Sequence, residues 1–199
     1  MTNPLQVVST SKQTAFTPEI IKIASKIKNK NNLEKCNKIL SYLKTFKITD
    51  FDEKLFRKRT ASEIIKQGFV TGCTDSDLVF ITLARACGIP TKYVETINKS
   101  WLQKGGRSIQ GHQYAQIYDD QNKKWLWVDP MGSRVNIHSP ESEGNVIFKI
   151  GLDSWDIGIH NFSELKEEFD RFRSEWLKKQ NPWRKMISVL FFFEKKLLS

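Results

Sequence analysis

Among the side chains of the 199-residue sequence that could do chemistry, the three cysteines come first: Cys36, Cys73 and Cys87. They lack metal-ligand or redox-pair spacing, and an odd number does not make a disulfide framework, so reduced thiols are expected. Cys73 follows Gly72 and opens a segment that reads as a helix, running through Asp77-Leu78-Val79-Phe80-Ile81-Thr82-Leu83-Ala84-Arg85-Ala86 and closed by Gly88 and Pro90. Free backbone N–H groups and the macrodipole place about half a positive charge at such a start, which favours a thiolate. The glycine lets the chain approach closely. Cys87 lies at the opposite helix end, where an anion is disfavoured, and Cys36 falls on an apolar stripe; both read as small core residues. The pattern is that of a thiol nucleophile at Cys73, whose own amide supplies half of an oxyanion hole.

A nucleophilic thiol needs an imidazole within hydrogen-bond reach and a third group that holds the imidazole in the useful tautomer. His112 lies 39 residues beyond Cys73, and Asp129 a further 17. Residues 112–118 and 125–128 have strand character, and Asp119-Asp120-Gln121-Asn122 between them reads as a hairpin turn. An antiparallel hairpin then brings His112, at the start of one strand, beside Asp129, at the end of the next. His138 and His160 fit no such pattern and are expected at the surface or in structural roles. Asp75 reads as a first-turn acid favoured by the helix dipole, with the holding of a neighbouring loop as the alternative. Arg59 and Arg85 read as buried partners for acids, and Tyr114 and Trp127 as sheet residues, one of which lines a substrate groove.

The elements that must position these groups are legible in outline. Thr17-Pro18-Glu19 starts an amphipathic helix over 17–30, and a second stripe (Leu33, Cys36, Ile39, Leu40, Leu43, Phe46) predicts another over 32–47. Thr60 and Glu63 form a capping box for a short helix ending near Gly68. Further strands are expected at 92–97 and 146–150, with a mobile loop over 100–111 beside the site. A last long helix begins at Ser163-Glu164 and is broken by Asn181-Pro182.

Gly72-Cys73-Thr74-Asp75, Leu83-Ala84-Arg85-Ala86-Cys87-Gly88-Ile89-Pro90, Gly111-His112 and Trp127-Val128-Asp129-Pro130, in this order and spacing, resemble the transglutaminase-like superfamily. The resemblance covers roughly residues 57 to 132, with a weaker echo at Asp153-Ser154-Trp155-Asp156-Ile157-Gly158. It implies an α+β, papain-like fold in which a nucleophile-bearing buried helix packs on a small antiparallel sheet, with extra N- and C-terminal helices. It also implies a Cys73-His112-Asp129 catalytic triad acting on amide or peptide bonds through a thioester, without metal or organic cofactor. Hydrolysis (a protease or deamidase) is the expectation over crosslinking, and a protein or peptide, attacked at a peptide bond or a Gln side chain, is the expected partner. Where the family usually carries tryptophan and glutamate after the histidine, this sequence has Tyr114 and Gln116, which bears on substrate preference. The expected organisation is a single domain: an N-terminal helical extension over 1–56, the catalytic core over 57–160, and basic aromatic helices over 161–199.

Charge favours the same reading. The net charge of +10 is concentrated in residues 1–60, with 13 basic and 5 acidic side chains, while residues 61–160 hold 10 and 11. The basic flanks are read as solvated helix faces rather than a nucleic-acid surface. The tail 186–193 is expected to dock on the core, with a membrane surface as the alternative. No secretory signal pattern or membrane-spanning run is present, so a cytoplasmic protein is expected. The competing function is a catalytically inactive domain that binds a protein, nucleic acid or membrane surface through its basic helices.

Overall fold

The computed structural model describes residues 9–180. Helix α1 (Pro18–Ala24) starts on Thr17 and α2 (Asn32–Leu43) on Asn31, whose side-chain oxygens accept the N–H groups of Ile20 and Glu34. α1 is shorter than its sequence pattern because the N–H groups of Lys26 and Ile27 turn to the carbonyls three residues back, tightening and ending the helix. The capping box of α3 (Ala61–Gln67) forms between Thr60 and Glu63, and Gly68 closes that helix in the left-handed conformation at φ +71°. Strands β1 (Lys47–Ile48) and β2 (Phe69–Val70) pair in parallel around it.

Helix α4 (Cys73–Ala86) is buried from Thr74 to Arg85, its apolar residues from Leu78 to Ala84 falling on most sides of the helix. Helices α1, α2 and α3 cover one side, and the other rests on a five-stranded antiparallel sheet ordered β6-β5-β4-β3-β7. The strands are β3 (Thr91–Asn98), β4 (Gly111–Asp119), β5 (Lys124–Asp129), β6 (Arg134–Ile137) and β7 (Asn145–Gly151). The hairpin expected between β4 and β5 is present, with Ala115 opposite Val128 and Asp119 opposite Lys124. Leu78, Phe80, Ile81 and Leu83 of α4 join Tyr93, Ala115, Ile117, Leu126 and Val128 of the sheet in the main core. The fold is therefore α+β, with helices segregated onto one face of an antiparallel sheet.

The segment 100–111, expected as a mobile loop, is partly helical. Asn98 caps α5 (Lys99–Lys104) by accepting the Trp101 N–H, and Trp101 and Leu102 are buried. They form a second core with Ile97, Ile159, and Leu165 and Phe169 of α6 (Phe162–Gln180). Two bulky apolar side chains behind a capping asparagine are enough to order this stretch once α6 supplies a surface to bury them. The expected break at Asn181-Pro182 and the tail 186–193 lie outside the described residues. Among the described residues no helix is long and apolar enough to cross a membrane.

The Asp153-Ser154-Trp155-Asp156 segment fastens residues 11–14 and the Arg57 loop to each other. Buried Asp153 accepts the hydroxyls of Ser11 and Thr14 and the N–H groups of Trp155 and Asp156. Ser154 donates to Gln13 Oε1 at 2.7 Å, and Trp155 Nε1 donates to the Arg57 carbonyl at 2.6 Å. Asp153→Ala leaves four donors without this acceptor, so unfolding in urea is expected to show a loss of about 2–3 kcal/mol; an unchanged midpoint would contradict this role.

Candidate active site

Gly72 precedes α4 and makes no side-chain cap, so the first N–H groups of the helix remain open beside the Cys73 thiol. The loop leading into this turn is held from inside the helix. Asp75 Oδ2 accepts the Thr71 N–H at 2.8 Å and the Thr71 hydroxyl at 2.8 Å, and Arg59 Nη2 donates to it at 2.5 Å. Asp75 is the first-turn acid expected, and, buried at 2% exposure, it also does what the alternative reading held, anchoring residues 59 and 71 to the helix start.

His112 sits near the start of β4. Its Nε2 lies 3.1 Å from Asp129 Oδ1, and the ring is close enough to Cys73 for the two to interact electrostatically. Burial lowers the His112 pKa, but the bonds to Asp129 and Cys73 and their negative charge outweigh it, pushing the value up from 6.5 to about 10. Asp129 is the mirror case. Burial raises its pKa, but hydrogen bonds from His112, from Arg134 Nη2 at 2.8 Å and from the Gly132 N–H at 2.9 Å bring it down to about 2. A Cβ on Gly132 would lie 2.5 Å from Asp129 Oδ2, so only glycine lets that amide approach the carboxylate. Gly111, before His112, is constrained similarly: a Cβ there would lie 2.6 Å from the Thr96 carbonyl oxygen and 2.9 Å from the Phe169 ring. Tyr114 packs edge-on against His112, with ring centroids 4.7 Å apart.

The structure thus sets His112 against Asp129 and within electrostatic reach of Cys73, whose thiol hydrogen-bonds to Gln113. His138 is exposed, and His160 bonds to Glu164 at the surface, both away from it. Of the other thiols, burial pushes the pKa of Cys36 strongly up, and that of Cys87 up as well. Arg59 pairs with Asp75 as expected, whereas Arg85 donates to the Thr91 carbonyl rather than to an acid.

Several residues that sequence reasoning passed over belong to the site. Gln113 Oε1 lies 2.6 Å from Cys73 Sγ and also accepts the Thr74 hydroxyl at 3.1 Å. Its amide nitrogen donates to Glu95 Oε1 at 2.5 Å, which fixes the orientation of the amide. Glu95 is fully buried, and its other oxygen accepts Arg57 Nη2 at 2.5 Å and the Tyr93 hydroxyl at 2.7 Å. Arg57 holds a positive φ of 58°, an uncommon state for a non-glycine, within this network. Asp77, one turn beyond Cys73, is wholly buried, and neither carboxyl oxygen has a hydrogen-bond partner among the described residues. Burial pushes its pKa well above the carboxylate range; His112 draws it down, while Asp129 and Glu95 push it further up. The one-turn spacing from Cys73 was a visible signal for Asp77, and adjacency to His112 for Gln113; nothing local marks Glu95 or Arg57.

A papain-like α+β architecture with a thiol at the head of its buried helix defines the class. The sequence pattern of the transglutaminase-like superfamily matches residues 21–130, over half of the chain, and the protein belongs to that superfamily. Among solved structures it is similar to a candidate cysteine protease from Cytophaga hutchinsonii, at 18% identity and a TM-score of 0.59, covering 80% of this chain and 50% of that one. It is also similar to LapG of Legionella pneumophila, at 14% identity and a TM-score of 0.51, covering 80% of this chain and 92% of that one. At these identities the likeness is one of fold, and the chain spans half the length of the Cytophaga protein. No curated protein matches the sequence.

Two measurements test the electrostatics. In Asp129→Asn the His112 imidazole, followed by NMR, is expected to titrate well below the value of about 10 and nearer to 6.5, because an uncharged partner stabilises the imidazolium less. An unchanged midpoint would break the link between the two residues. For Asp77, a folded-state pKa above the unfolded value of 3.8 means that its contribution to stability is greatest below 3.8 and is lost as pH rises through the folded value. Asp77→Asn is therefore expected to gain on the parent as pH rises from 4 to 7 in urea unfolding; parallel pH profiles would contradict it.

Proposed function

We propose that the protein is a cysteine hydrolase in which Cys73 attacks an amide carbonyl, His112 carries the proton and Asp129 orients and charges the imidazole. The observation that supports this reading is the His112–Asp129 pair, 3.1 Å apart and within electrostatic reach of Cys73 at the open head of α4. Transfer of the thiol proton to Nδ1 makes a thiolate–imidazolium pair, and the imidazolium is the form that the environment of His112 favours. The sulfur adds to the carbonyl carbon, and the oxygen that becomes negative turns toward the first N–H groups of α4. When the C–N bond breaks, the His112 proton goes to the departing amine, leaving a thioester on Cys73. Water then attacks the thioester, gives its proton to His112, and releases the carboxylic acid and the thiol. A second amine in place of water would give transamidation, so the balance between the outcomes depends on access of water.

Within the chain, residues 57–160 are assigned to this catalytic core, with the described residues before 57 as an extension packed on it. A protein or peptide is the substrate class that the chemistry suits.

Iodoacetamide at neutral pH is expected to modify Cys73 well ahead of Cys36 and Cys87, and His112→Ala to erase that preference, as read by peptide mass spectrometry. Equal labelling of all three would favour a binding module with a silent site. With any amide substrate, Cys73→Ala is expected to abolish turnover, and Asp129→Ala to lower kcat by roughly 10²- to 10⁴-fold. The imidazolium is required as proton donor, so kcat/KM is expected to fall on the alkaline side as pH rises through about 10.

A further inference from the structure

Beside the thiol lies a cleft of about 210 Å³, whose lining includes Cys73 itself. Its walls are apolar: Phe51, Phe56, Ile109, Phe162, Leu165 and Phe169. Phe51, Phe56 and Phe162 form a mutually packed trio with centroids 5.3 to 5.6 Å apart, and Leu165 and Phe169 are anchored in the second core. The polar floor, Glu95 and Gln113, is already engaged. Glu95 is neutralised by Arg57 and bonded to Tyr93 and Gln113, while Gln113 is bonded to Glu95, Thr74 and Cys73. A charged side chain entering this cleft would lose its water and find no free partner, whereas an apolar one would bury its surface. The size fits one such side chain, since a cavity of about 150 Å³ lined by similar residues holds a benzene ring. A second cleft, of about 170 Å³ near Met131 and Ser76, does not include the sulfur.

Resting on the cysteine-hydrolase reading above, we propose that this cleft is the specificity pocket and that it selects a peptide with a bulky apolar side chain, aromatic or leucine-like, within one residue of the attacked carbonyl. Because Cys73 forms part of the lining, a side chain seated there places its own backbone within reach of the sulfur. The pocket is assembled from three separate parts of the chain, the loop at 51–56, Ile109 before β4, and α6, so α6 acts as a wall of the binding site as well as a support for the sheet.

The test uses the full-length protein and a series of short peptidyl acyloxymethyl ketones carrying Phe, Leu, Asp, Lys or Gly at the residue bearing the reactive carbonyl or at the one before it. The rate of Cys73 modification is read by mass spectrometry. Phe or Leu at one of these two positions is expected to react at least about tenfold faster than Asp or Lys. Phe51→Asp and Ile109→Asp, at a rim residue and a half-buried wall residue, are expected to narrow that ratio. Iodoacetamide is too small to need the cleft and reports on the thiol alone. Selective iodoacetamide labelling of Cys73 with equal rates across the peptide series would overturn the pocket and leave the nucleophile reading standing. If iodoacetamide is unselective, the nucleophile reading falls, and the pocket is then judged by equilibrium binding of fluorescein-labelled Phe and Asp peptides to Cys73→Ala. Tighter binding of the Phe peptide supports the pocket, and equal or absent binding overturns it.

Discussion

A charge buried inside a protein has to be answered by an opposite charge and by hydrogen bonds, and the layout around Cys73 follows from two such charges. Glu95 and Asp129 are 0% and 4% exposed and stand on different strands of one sheet. Arg57 and Tyr93 answer Glu95, and the remaining oxygen of Glu95 orients Gln113 against the thiol. Arg134, Gly132 and His112 answer Asp129, and its carboxylate in turn raises the pKa of His112, which lies within electrostatic reach of the same thiol. The sulfur therefore sits between two side chains from consecutive positions of β4, each steadied by its own buried carboxylate. Removing either carboxylate disturbs a neighbour of the sulfur without touching the sulfur.

The helix that carries Cys73 imposes the second constraint. α4 is covered on all sides, so the polar groups of its first turns cannot be left to water. Asp75 meets this demand by binding Thr71 and Arg59, and in doing so it fixes the loop that delivers Gly72 and Cys73. Asp77 does not meet it; its unpartnered carboxyl lies within the electrostatic reach of His112, Asp129 and Glu95. A buried polar group of this kind costs stability.

Flanking elements contribute more than cover. The loop over residues 51–59 supplies aromatic wall residues, the counter-ion of Glu95 and the partner of Asp75. That loop is in turn fastened by Trp155 and, through Gln13, by the chain's beginning. Phe169 reaches from α6 onto Gly111, where a side chain could not be accommodated. Packing far from the thiol in sequence thus closes in on Gly111, the residue before His112.

Local signals in the sequence were strong where a single element decides the outcome. The capping box at Thr60 and Glu63, the largely apolar stretch of α4 from Leu78 and the turn at 119–122 set those elements by short-range propensity, and the hairpin carried His112 and Asp129 to a common edge. Helix-start position, strand pattern and motif spacing together pointed to Cys73, His112 and Asp129 as a set. Tertiary structure decided what surrounds them: the helix within 99–104, the short strand of Arg134, the burial of Asp75 and Asp77, and the pairing of Glu95 with Arg57 across 38 residues. The physical reason is that propensity and periodicity act over a few residues, whereas burial, and with it the value of a charge or the walls of a cleft, depends on which distant segments pack together.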